Sequence, residues 1–129
     1  MRFSGPPLQA LRPDGTVWFA PVWRASTFGE RLRGLMFTHR ESLGLWFPGC
    51  RGVHSHWMRY PLDVLFLGPG GVVLRHQVLK PWSSISHPQA DSLMEIPRGF
   101  ADLATLPDRI CLALPATGTT KGNREALVK

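Results

Sequence analysis

Asp63-Val64-Leu65-Phe66-Leu67-Gly68-Pro69-Gly70-Gly71-Val72-Val73-Leu74-Arg75-His76-Gln77-Val78-Leu79 is a pair of apolar runs separated by four residues suited only to a turn. Pro69 fixes its own φ and has no backbone donor, and three glycines supply the backbone angles a chain reversal demands. Apolar runs of this length, rich in Val and Leu and joined by so short a loop, predict an antiparallel hairpin. The Gly-Pro-Gly-Gly segment lacks the Lys-Ser/Thr and the helix of a phosphate-binding loop, so the hairpin reading stands.

The rest of the chain extends the same pattern outward. Strands are expected at 44–47, stopped by Pro48-Gly49, and at 53–58, 92–96 and 109–114. A first hairpin, 8–12 against 17–22, turns on Pro13-Asp14-Gly15-Thr16, with Pro at the second position of a type I turn counted from Arg12. Residues 81–88 read as a loop, 97–99 as a turn and 100–106 as a helical turn. One amphipathic segment, 27–35, predicts a short helix: Thr27 can cap, Glu30 follows three residues later, and Phe28, Leu32 and Leu35 share a face. Twelve Pro and thirteen Gly in 129 residues favour many short elements over a helix bundle. The expected fold is α+β, a mostly antiparallel sheet curled into a small barrel with one short helix. It forms a single domain over 1–115 followed by a flexible tail over 116–129 that has no apolar periodicity.

Composition narrows the functional classes. Apolar residues are 43% and charged residues 19%, a globular balance without a run long enough to span a membrane. No apolar leader is apparent in 1–11, which places the expectation in the cytoplasm. The net charge is +6 and twelve of the fifteen basic residues are Arg, but they are scattered singly, so nucleic-acid binding is only a weak alternative. Cys50 and Cys111 are too far apart in sequence and context to suggest a disulfide framework, and Cys111, inside Ile110-Cys111-Leu112, reads as core.

The chemically dense stretch is Cys50-Arg51-Gly52-Val53-His54-Ser55-His56-Trp57-Met58-Arg59-Tyr60-Pro61-Leu62-Asp63. If 53–58 is one strand, His54 and His56 share a face, and with Cys50 and Asp63 they compose a conceivable metal donor set. Partly buried histidines bonded to the backbone are the plainer reading, and no metal is assigned. Cys50 activated by His54, with Asp63 orienting the imidazole, would be a nucleophile, although Cys-x-x-x-His is no established signature. Arg59, Tyr60 and Asp63 could face a ligand, or Asp63 could fix the strand entry through backbone N–H groups or Arg59. Trp82 at a strand exit could line a pocket, and Glu95 amid apolar residues requires a partner such as Arg98 or Arg75. The reading adopted is a small binding or interaction module for an unidentified small molecule or protein. Its pocket is formed by Cys50, His54, His56, Arg59, Tyr60, Asp63 and Trp82, with no cofactor implied, and a thiol- or metal-dependent enzyme using Cys50, His54 and Asp63 is the alternative.

Several pieces taken together carry a resemblance. They are Glu30 to Phe37, Gly44-Leu45-Trp46-Phe47, Cys50 to His54, Met58 to Leu67, Leu79-Lys80-Pro81-Trp82 and Met94-Glu95-Ile96-Pro97-Arg98-Gly99. In order and spacing they resemble the bacterial and archaeal family known as domain of unknown function 192, in its shorter Cys-x-x-x-His variant. The chain departs at Gly68 to Gly71, where an Asp-rich turn is common, and at Pro107-Asp108, where Gly-Asp is usual. The resemblance implies a mostly β, barrel-like domain, often secreted in other members, with no agreed reaction.

Overall fold

A computed structural model describes residues 4–25, 42–55 and 58–115. Its strands, in chain order, are β1 (Ser4–Leu11), β2 (Val17–Arg24), β3 (Gly44–Pro48), β4 (Gly52–His54), β5 (Leu62–Leu67), β6 (Val73–Leu79), β7 (Ser84–Ser86), β8 (Ser92–Pro97) and β9 (Cys111–Ala113). The hairpin that opened the sequence reading is β5–β6, antiparallel from Leu62 opposite Leu79 to Leu67 opposite Val73, with Pro69–Gly71 as a single 3-10 turn. The first hairpin forms as well. Gly15 N–H donates to Arg12 O at 2.9 Å, closing a turn with Pro13 at its second position, as the Pro-Asp-Gly order requires.

Seven strands make one sheet in the order β6-β5-β8-β3-β2-β1-β9, and β4 and β7 make a separate ribbon. All neighbours are antiparallel except β2 and β3, which run parallel through Val22–Gly44, Trp23–Leu45 and Arg24–Trp46. The large sheet curls until its two edges touch. Val72, leading into β6, bridges to Arg109, leading into β9. Ile110 N–H donates to Gly71 O and Val73 N–H donates to Asp108 O, each at 2.8 Å. Only Gly fits at position 71, where φ is +82° and an added Cβ would stand 2.0 Å from Ile110 O.

Strand alternation divides the core into two layers. On one face of the sheet Leu45, Phe47, Leu62, Val64, Phe66, Leu79 and Leu93 pack together, and Val53 of the small ribbon joins them. Ala10, Phe19, Val22, Leu65, Leu67, Met94, Ile96 and Ile110 form the other layer, inside the curl. All six residues of β5 and all six of β8 are buried, which is why both strands are apolar on either face apart from the buried Asp63, Ser92 and Glu95.

Several expectations change on this fold. The strand expected at 53–58 stops at His54, because Ser55 turns the chain: its carbonyl accepts from Met58 N–H and Trp82 N–H, both at 3.0 Å. The loop expected at 81–88 contains β7, and the strand at 109–114 shrinks to Cys111–Ala113. Cys111 is exposed rather than core, because β9 is an edge strand and Ile110 takes the buried position beside it. The helical turn at 100–106 is a 3-10 turn at Leu103–Thr105, capped by the Asp102 side chain. Among the described residues the helical segments are 3-10 turns alone, and the helix expected at 27–35 lies outside them. No described helix is long and apolar enough to cross a membrane.

Candidate functional site

The small ribbon is the part of the chain with a polar face over a core. Its cross-strand pairs are Gly52–Ser86, Val53–Ile85 and His54–Ser84. Val53 and Ile85 turn into the core layer, so alternation leaves Gly52, His54, Ser84 and Ser86 on the opposite face. Glycine at position 52 lets the two backbones approach closely. A Cβ there would sit 3.0 Å from Ser86 Cβ and 3.2 Å from Ile85 O. The ribbon is anchored at Ser55, which is fully buried: its hydroxyl donates to Lys80 O and accepts from Ser83 N–H at 2.9 Å. Those bonds tie the end of β4 to the segment that enters β7.

Arg75 and Gln77 of β6 complete the site. They stand opposite Phe66 and Val64, so they share the face of the sheet that the ribbon packs on. Together with Gly52, His54, Ser84 and Ser86 they line a cleft of about 530 Å³. Neither Arg75 nor Gln77 enters a side-chain hydrogen bond or ion pair with the described residues. Among the described residues no carboxylate lines the cleft, which presents a guanidinium, an imidazole, an amide and two hydroxyls, each able to donate a hydrogen bond.

His76 lies between those two residues and points to the other face, where it meets Asp63. The Asp63 carboxylate is 1% exposed and one oxygen, Oδ1, accepts from Arg98 Nη1 and from His76 Nε2, each at 2.7 Å. Asp63 thus belongs to a buried polar joint among β5, β6 and the exit of β8. It is on the face of β5 opposite to the ribbon that carries His54.

The sequence-selected residues therefore separate. His54 lines the polar cleft. Cys50 is half-buried and packs against the core layer under the ribbon, as does Tyr60. Asp63 is bonded to His76 and Arg98, so Cys50, His54 and Asp63 do not converge as a nucleophile, base and orienting acid. Arg59 is exposed, and Trp82 is 57% exposed in a left-handed backbone conformation with φ 60°. His56 lies outside the described residues. Among the described residues no three His, Cys, Asp or Glu side chains are grouped to hold a metal ion. Glu95 is buried on β8 between Leu45 and Val64. A second cavity, about 440 Å³, lies toward the edge closure among Trp46, Leu67, Asp91, Ile110 and Leu112, and none of the selected residues lines it.

Arg75, Gln77, Ser84 and Ser86 were absent from the sequence-derived set. Two signals point to them. The hairpin register fixes which residues of β6 face the same way as Val64, and Ser84-Ile85-Ser86 is itself a polar-apolar-polar strand pattern.

The family model described as Uncharacterized ACR, domain of unknown function 192, matches residues 10–108. The chain belongs to this family. No curated protein matches it. Two solved structures share its fold. One is described as a "putative transcription regulator" from Sinorhizobium meliloti 1021, at 19% identity and a TM-score of 0.69, covering 87% of this chain and 96% of that one. The other is a protein of unknown function from Novosphingobium aromaticivorans DSM 12444, at 21% identity and a TM-score of 0.60, covering 82% of each chain. The geometry gives the family resemblance a physical content. Asp63, in the Met58-to-Leu67 piece, and Arg98, in the Met94-to-Gly99 piece, are the two ends of one ion pair. Arg98 N–H also donates to Pro61 O at 3.1 Å. These two stretches belong together because they lock a strand junction.

Proposed function

We propose that this domain of unknown function 192 member is a binding module for a small polar molecule, seated in the cleft between the β4–β7 ribbon and β6. One observation carries the reading: two separate sheets converge polar side chains on a concavity of about 530 Å³. That volume falls within the roughly 300–1,000 Å³ of small-molecule sites. The floor is rigid, because Val53 and Ile85 fix the ribbon to the core and Ser55 clamps its end. His54 is retained from the sequence-derived pocket, while Cys50, Arg59, Tyr60, Asp63 and Trp82 support its surroundings or lie away from it.

The test is protein-observed NMR with a panel of small polar fragments. Saturable shifts should concentrate on the amides of 52–55, 75–77 and 84–86. Shifts confined to 67–71 and 110–112, around the second cavity, would place binding elsewhere and reject this site.

A further inference from the structure

Resting on that binding site, we infer that its ligand is an oxyanion, a small molecule whose carboxylate or phosphate is held by Arg75. Among the described residues the cleft's walls carry one permanent cation, Arg75, and four other side chains able to donate a hydrogen bond, His54, Gln77, Ser84 and Ser86. Those walls contain, among the described residues, no Asp or Glu to compensate that charge. The other arginines with resolved contacts are already committed. Arg98 holds Asp63, Arg24 stacks over the Trp46 ring at 5.7 Å, and Arg12 bonds Thr16 and the Val17 carbonyl. Among the described residues Arg75 has no such partner.

Position reinforces composition. The Arg75 stem stands across from Phe66 and Gln77 across from Val64, both fully buried, so each side chain rises from a closely packed sheet. Two residues apart on one strand, their Cα atoms are about 7 Å apart, a span that lets a guanidinium and an amide address different oxygens of one ligand. The Arg fork matches the two oxygens of a carboxylate or phosphate, while Lys would act only as a point charge. The hydroxyls of Ser84 and Ser86 and the imidazole of His54 line the open cleft from the ribbon side.

Titration with inorganic phosphate, succinate and the uncharged isostere succinamide at low ionic strength, followed by amide shifts, tests the inference. Phosphate or succinate should saturate the 75–77 and 84–86 resonances, and succinamide should not. The R75Q variant should weaken anion binding by about tenfold or more, the loss expected for one charge-assisted hydrogen bond. R75K, which keeps charge without the fork, should fall between. R109Q, an exposed arginine outside the cleft, should leave it unchanged. Succinamide binding in the cleft without phosphate or succinate overturns the oxyanion class but leaves the binding site standing. Equal loss in R75Q and R109Q, or none in R75Q, overturns the role of Arg75. No shift in the cleft with any of the three probes or the polar fragment panel rejects both readings.

Discussion

Replacing Gly71 by Ala should be the most damaging single-methyl change at the sheet closure. At φ +82° an L side chain costs about 1–2 kcal/mol in backbone conformation alone. The added Cβ would also stand 2.0 Å from Ile110 O, a backbone atom that cannot swing aside as a side chain would. Relief requires the strand edges to part, which removes the bonds from Ile110 N–H to Gly71 O and from Val73 N–H to Asp108 O. At about 0.5–1.5 kcal/mol each, those two losses bring the total to roughly 2–5 kcal/mol. That is a large share of the 5–15 kcal/mol typical of a folded domain. Gly70→Ala is the matched control: φ is +74°, but its Cβ would meet only the exposed Arg109 guanidinium, at an ordinary contact distance of 3.7 Å, so it should carry the backbone penalty alone. Urea unfolding of both variants at constant m gives the difference directly. Equal destabilisation by G70A and G71A would refute the argument that edge contact at Gly71 and Ile110 holds the curl closed.

Three further outcomes follow from named contacts. Asp63→Ala should destabilise the fold by about 2–4 kcal/mol, the sum of two bonds to a charged group discounted because Arg98 is half-exposed and can rehydrate. D63N should fall between, and a D63A variant unfolding at wild-type urea would remove the joint from the account of stability. Asp14 has its carboxyl held below the ordinary value, first by the Thr16 hydroxyl at 2.6 Å and then by the Thr16 N–H. Its contribution to the first turn is therefore present above the unfolded pKa and lost as pH falls through the folded one. An NMR titration should show Thr16→Ala raising the Asp14 midpoint, and an unchanged midpoint would contradict the assigned cause. Cys111, exposed on the edge strand, should react with a thiol reagent faster than half-buried Cys50, and mass mapping of the first adduct to Cys50 would count against the described burial.

The fold was legible where local chemistry and packing agree. Gly68 to Gly71 demand a turn, β5 and β8 are mostly apolar because both faces are covered, and the Pro-Asp-Gly order closes the first hairpin. Sheet order and the β2–β3 parallel pairing were not legible, since they depend on contacts between segments that no local pattern ranks. The site was legible only in His54. The His-x-His reading assumed a strand to Met58, but Ser55 exchanges strand continuity for hydrogen bonds to Lys80 and Ser83. Cys50 to Asp63 looked dense because the segment runs along one core layer until Asp63, whose side chain turns to the other face. Its groups are neighbours in sequence and serve different faces.

The same alternation explains how three consecutive residues of β6 divide stability from binding. Arg75 and Gln77 face the ribbon, and His76 faces Asp63. A one-residue slip of β6 against β5 would send His76 into the cleft and place Arg75 and Gln77 on the Asp63 face. The register therefore has to be fixed by contacts outside the cleft. The Asp63 joint holds one end of the hairpin and the Gly71–Ile110 closure holds the other. It follows that D63A and G71A, although neither residue lines the cleft, should disturb the amide environments of 75–77 even at temperatures where the chain remains folded, whereas R75Q should alter binding with little change in stability.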